Sequence, residues 1–246
     1  MTTKYVKTLY NNRQPVYDLQ YEGGQPVLEK PLTANEVDVQ KGWLYDTVRF
    51  LREVWVRPQT IKLFRAGIGQ QTHYINVPNI QYTKHKGDTS LESGNFLSGQ
   101  AFDIANIQVA ISRRYFSLTP DQETLRAQAA SSNPTGIPNI TTEPELIAHL
   151  QDTAILTTKY GGSDKQRESG LLKLFPTSYG VLAALGGLAQ NKAANGFGKA
   201  QPLLAVRRIG DKQNIDVEIE ILEPFIPYMD FQIQVIHDGK LYRPVA

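Results

Sequence analysis

Ile215-Asp-Val-Glu-Ile-Glu-Ile221 decides the fold class. Ile215, Val217, Ile219 and Ile221 alternate with Asp216, Glu218 and Glu220. Successive side chains of an extended chain point to opposite faces, so this alternation makes a strand with one buried and one wet face. Further on, Phe231-Gln-Ile-Gln-Val-Ile236 repeats the pattern and runs into His237-Asp238-Gly239-Lys240 and then Leu241-Tyr242-Arg243. Asp-Gly between two strand-like runs is the strongest short hairpin signal, because both turn residues need positive φ. The expectation is a C-terminal hairpin with Gly239 at positive φ and Pro244 closing the last strand.

Working back along the chain, strand signals continue. In Ala101 to Phe116, Phe102 and Ile104 share one phase while Ile107, Val109 and Ile111 share the other. The phase slips near Ala105-Asn106, which predicts a β-bulge. Val54-Trp-Val56 and Ile61-Lys-Leu-Phe-Arg65 read as short strands broken by Pro58, Gly67 and Gly69. Such punctuation is that of sandwiches and barrels. Thr119-Pro-Asp-Gln122 holds an N-cap, a proline at the first helical position and a capping-box partner, and predicts a short helix to Ala130. Thr142-Glu-Pro-Glu145 opens another over Leu146 to Leu150. Ser131 to Pro138 reads as a loop and is the expected boundary between two halves, 1–130 and 131–246. Tyr160 to Gly170 and Gln190 to Gly198 read as two more loops.

The chain has 246 residues and a formal net charge of +2. So balanced a chain is not built as a nucleic-acid surface, and no sequence-specific nucleic acid is expected. Cysteine is absent, which excludes disulfides, thiolate metal sites and thiol nucleophiles together. The longest oily stretch, Val181 to Ala189, falls far short of the ~20 residues of a membrane span. No secretory pattern opens the chain, so synthesis in the cytoplasm is expected.

Chemical motifs are weak. Gly67-Ile-Gly69 starts like a dinucleotide-binding turn but lacks the third small residue and a following helix. Gly196-Phe-Gly198-Lys199 misses a phosphate loop at Ala193 and Ala200. His73, His85, His149 and His237 have no metal-ligand spacing, and surface or packing roles are expected, His237 in the hairpin turn. Asp216, Glu218 and Glu220 form a carboxylate ladder that suits a solvated face better than a glycosidase pair or a divalent cation. Arg113-Arg114 and Arg207-Arg208 read as solvated strand ends before anion or partner contacts. No catalytic, cofactor-binding or metal-ligating residue is assigned. Tyr5, Tyr10, Tyr17 and Tyr21 cluster with Lys4, Lys7 and Arg13. This composition fits an arm that docks on a neighbour or a lipid surface, and equally an ordinary edge segment.

Two regions carry a resemblance. One is Ile61-Lys-Leu-Phe-Arg-Ala-Gly-Ile-Gly-Gln70 with Lys86-Gly-Asp-Thr-Ser-Leu-Glu-Ser-Gly-Asn-Phe-Leu-Ser-Gly-Gln-Ala-Phe-Asp-Ile104. It resembles the first jelly roll of major capsid proteins from small tailless bacteriophages. The other joins Pro202 to Ile209, Asn214 to Ile221 and Phe231 to Pro244, and is similar to the closing strands of the same proteins. The resemblance implies an all-β double jelly roll, two eight-stranded β-sandwiches with a few short helices. The first would be 1–130, an N-terminal arm and jelly roll, and the second 131–246. It further implies a structural virion protein, not an enzyme and without cofactors, whose homotrimers form pseudo-hexameric capsomers tiling an icosahedral shell. Its partners would be neighbouring capsomers, minor capsid or vertex proteins and, through the arm, an internal lipid membrane. The alternatives are a vertex or tail-tube protein and a carbohydrate-binding or carbohydrate-processing sandwich, for which Trp43 and Trp55 are the only tryptophan platforms.

Overall fold

A computed structural model describes residues 5–11, 14–22, 25–28, 37–92, 101–160, 163–176, 201–209 and 215–244. Strands dominate, as the alternating pattern requires. They are β1 (Tyr5–Asn11), β2 (Gln14–Glu22), β3 (Gln25–Leu28), β4 (Val37–Phe50), β5 (Gln59–Leu63), β6 (Gln71–Tyr74), β7 (Val77–Thr83) and β8 (Ala101–Arg113). After helix α1 (Pro120–Ser131) come β9 (Asn139–Ile140), helix α2 (Glu143–Thr153), β10 (Ala154–Tyr160), β11 (Ser163–Leu171), β12 (Gln201–Ile209), β13 (Ile215–Ile221), β14 (Ile226–Pro227) and β15 (Phe231–Pro244). The all-β expectation holds.

Eight of these strands build the sandwich. One four-stranded sheet has the order β12-β8-β15-β4, the other β11-β10-β13-β5. Four antiparallel pairings, β4 with β15, β5 with β13, β8 with β12 and β10 with β11, are the rungs of one long hairpin folded at β10–β11. Rolling that hairpin adds β8 against β15 and β10 against β13. This is the strand order of a single jelly roll. The second eight-stranded sandwich is not found among the described residues. The expected division falls at residue 130. Three of the four rungs cross it, whereas few contacts cross a true domain boundary.

One core joins the two sheets. Leu44, Val48 and Phe50 of β4, Ile104, Ile107 and Val109 of β8, and Ile233 and Val235 of β15 meet Ile61, Leu156, Val217 and Ile219 of the other sheet. Phe50 and Phe231 stack with centroids 4.4 Å apart. Both helices carry the predicted capping boxes, at Thr119–Gln122 and Thr142–Glu145. α2 closes one end of the sandwich with Leu146, Ile147 and Leu150 buried in the core. α1 lies on a smaller core with the β6–β7 hairpin, around Leu51, Tyr74, Val77, Ile80 and Phe116. None of the described helices is long and apolar enough to cross a membrane.

The bulge near Ala105 is present. Asp238 faces Asn106 and Gly239 faces Ile104, so Ala105 has no opposite number in β15. The expected C-terminal hairpin is not. β15 runs through His237, Asp238 and Gly239 without turning, paired with β4 on one side and β8 on the other. Gly239 is not among the residues at positive φ. Its lack of a side chain serves the bulge: a Cβ there would lie 1.8 Å from the Asp103 carbonyl oxygen. Residues 163–170, expected as loop, form edge strand β11. Of Val54 to Val56, only Val56 makes a bridge, to Phe225. β1, β2 and β3 form a separate antiparallel sheet in which Tyr5 faces Tyr21 and Leu9 faces Tyr17.

Candidate functional site

The carboxylate ladder on β13 faces outward, as its alternation requires. Arg65 pairs with Asp216 at 2.5 Å and Lys62 with Glu218 at 3.5 Å, so two of the three carboxylates are ion-paired on a solvated face. Among the described residues no group of three His, Asp or Glu side chains is placed to hold a metal. Gly69 takes φ +82°, which fits a turn between strands. Residues 181–189 and 190–198, with the Gly196–Lys199 motif, lie outside the described residues, as do the side chains of Arg207 and Arg208.

The histidines divide. His73 and His85 are exposed. His149 sits edge-on to Phe225, with centroids 4.8 Å apart, and burial lowers its pKa. His237 is not in a turn, and of the surface and packing roles expected it takes packing: it is wholly buried, and neither ring nitrogen has a hydrogen-bond partner among the described residues. Burial alone pushes its pKa down to about 3. Its unfolded value lies near 6.5, so between those values the unfolded chain binds the extra proton and folding weakens as pH falls. The His237 contribution should fall by about 2 kcal/mol between pH 6.5 and 4.5. His237→Leu is expected to raise stability at pH 7 and to flatten that slope. Denaturant melts across the pH range check this, and an unchanged slope in the variant would refute it.

Arg114 is not a free strand end. It joins a charged network that pins residues 84–91 along the edge of β4. Arg49 Nη2 reaches both carboxylate oxygens of Asp88, at 2.6 and 2.7 Å, and Arg114 approaches one of them at 3.3 Å. The Arg49 guanidinium lies 4.2 Å from the Tyr82 ring centre and 5.0 Å from that of Phe116. Burial raises the Asp88 pKa, but the His85 N–H and the two guanidiniums outweigh it and hold the carboxyl below its ordinary range. Lys84 pairs with buried Asp46, whose other oxygen accepts the Phe64 N–H at 2.6 Å. The Ser90 N–H donates to the Tyr45 carbonyl and Thr89 bridges Asp46, so this segment covers part of an otherwise open edge.

Two surface features stand out. On the outer face of the β4–β15 pair, Trp43, Tyr45, Gln234, Ile236 and Gly87 line a shallow cleft of about 310 Å3, with Trp43 46% exposed. Trp55, by contrast, packs against the smaller core. At the α2 end, Glu53, Asn133, Asn139, Thr141, Ile226, Pro227 and Tyr228 line a cleft of about 230 Å3. Sequence reading missed this second cleft because its walls come from three remote segments. Comparison with known protein families, with curated proteins and with solved structures finds no match to this chain.

Proposed function

We propose that the chain is a structural subunit of a virus shell, of the kind found in tailless icosahedral bacteriophages, and not an enzyme. The observation that carries the reading is the strand order, four rungs of one hairpin rolled into two facing sheets. That architecture serves shell subunits, lectins and cupins alike. The likeness of residues 61–70, 86–104, 202–209, 214–221 and 231–244 to capsid strands selects among them. A cupin-like interior site is disfavoured because apolar side chains fill the space between the sheets. Function then falls to the surfaces. One outer sheet face is charged and internally paired, while the other presents Trp43, Tyr45 and Ile236, a surface suited to covering by a neighbour.

A double jelly roll would make a pseudo-hexameric capsomer from three chains. With one roll per chain, a six-lobed capsomer takes six copies, and a vertex takes five. The single roll therefore favours the vertex role as the second reading. Shell subunits associate through repeated self-complementary contacts, each of which can be modest. Light scattering and negative-stain imaging of the purified protein should find closed rings of five or six, trimers, or shells. A strict monomer at high concentration would overturn the proposal.

A further inference from the structure

The α2-end cleft is built before any ligand arrives. The Glu53 N–H donates to the Pro227 carbonyl at 2.6 Å, the Ile226 N–H to Pro138 and the Tyr228 N–H to Ile140. Asn133 accepts from the Trp55 N–H and donates to the Glu53 carbonyl at 2.7 Å. These bonds hold Glu53 at φ 62°, a left-handed conformation unusual for a residue with a side chain. Strain held in place by its surroundings clusters at ligand clamps.

The groups left facing the cleft define the ligand. Arg126 Nη1 takes Glu53 Oε2 at 2.6 Å, leaving Oε1 without a partner among the described residues. Asn139 is exposed and its amide makes no hydrogen bond among the described residues, and Tyr228 is 67% exposed. A carboxylate repels anions, and a single carboxylate already paired with arginine is a poor cation site. A carboxylate oxygen, an amide that both donates and accepts, and an aromatic ring match neighbouring hydroxyls on a ring with apolar C–H faces. The volume lies below the ~300 Å3 at which drug-sized pockets begin, so one ring fits and a long chain does not.

We propose that this cleft binds a neutral saccharide, with Glu53 and Asn139 reading adjacent hydroxyls and Tyr228 stacking on the ring. The assignment is independent of the shell reading. The test is saturation-transfer NMR on the full chain with the methyl glycosides of glucose, galactose, mannose and N-acetylglucosamine as probes. At least one should bind saturably in the millimolar range. Asn139→Ala and Tyr228→Ala, both at exposed positions, should each weaken it about tenfold with unchanged melting, the change in equilibrium constant that ~1.4 kcal/mol produces. No saturable binding by any of the four, or equal binding by wild type and both variants, would overturn the proposal.

Discussion

Gly239→Val should destabilise the fold by about 3 kcal/mol, the upper end of the usual range for overpacking. Within a strand, adding a side chain to glycine is ordinarily harmless or helpful, since glycine weakens strands. Here the sign reverses. The new Cβ would meet the Asp103 carbonyl oxygen at 1.8 Å and the Asp103 carbonyl carbon at 2.9 Å. These are backbone atoms of a neighbouring strand at its bulge, and they cannot rotate away. Gly87→Ala is the matched control, because a Cβ there meets nothing within 4 Å. In a chain of this size the valine variant should melt about 10 °C lower, with the control near wild type. A valine variant that melts with wild type would disprove the close approach.

Asp88→Ala should cost about 3–5 kcal/mol, because it leaves a buried guanidinium without its counter-charge. Arg49 is enclosed by Tyr82 and Phe116, and its side chain is only 8% exposed. The loss should fall on residues 84–91 first, since Asp88 fixes that segment through the His85 N–H as well as through Arg49. Hydrogen exchange should therefore rise along residues 84–91 and the adjoining edge of β4. The pair's contribution should also fade in acid: a carboxyl held below its unfolded value stabilises above that value, and the gain is lost as pH falls through the folded one. If Asp88→Ala matches wild type in a denaturant melt, the pair contributes nothing to stability.

Local features were legible in the sequence where neighbours along the chain determine them. The capping boxes at Thr119 and Thr142 need only residues three positions apart, and both helices start where they were expected. The alternation in β13 and the phase slip at Ala105 are likewise properties of adjacent residues. β11 was missed because an edge strand of Ser, Asp, Lys, Gln, Arg and Glu lacks the apolar alternation that marks a half-buried one. The end cleft left no local signal, since Glu53, Asn139 and Tyr228 are brought together only by pairings between distant segments.

By itself, then, the sequence determined the all-β class, the two helix starts, the bulge and the outward face of the carboxylate ladder. Tertiary structure alone decided that Asp238-Gly239 continues a strand, that His237 is buried and that the rungs close into one roll. The physical reason is that a dipeptide's preference for turning is worth little against a ladder of hydrogen bonds on both sides. β15 is flanked by β4 and β8 through Asp238 and Gly239, and those partners lie more than a hundred residues away in the chain.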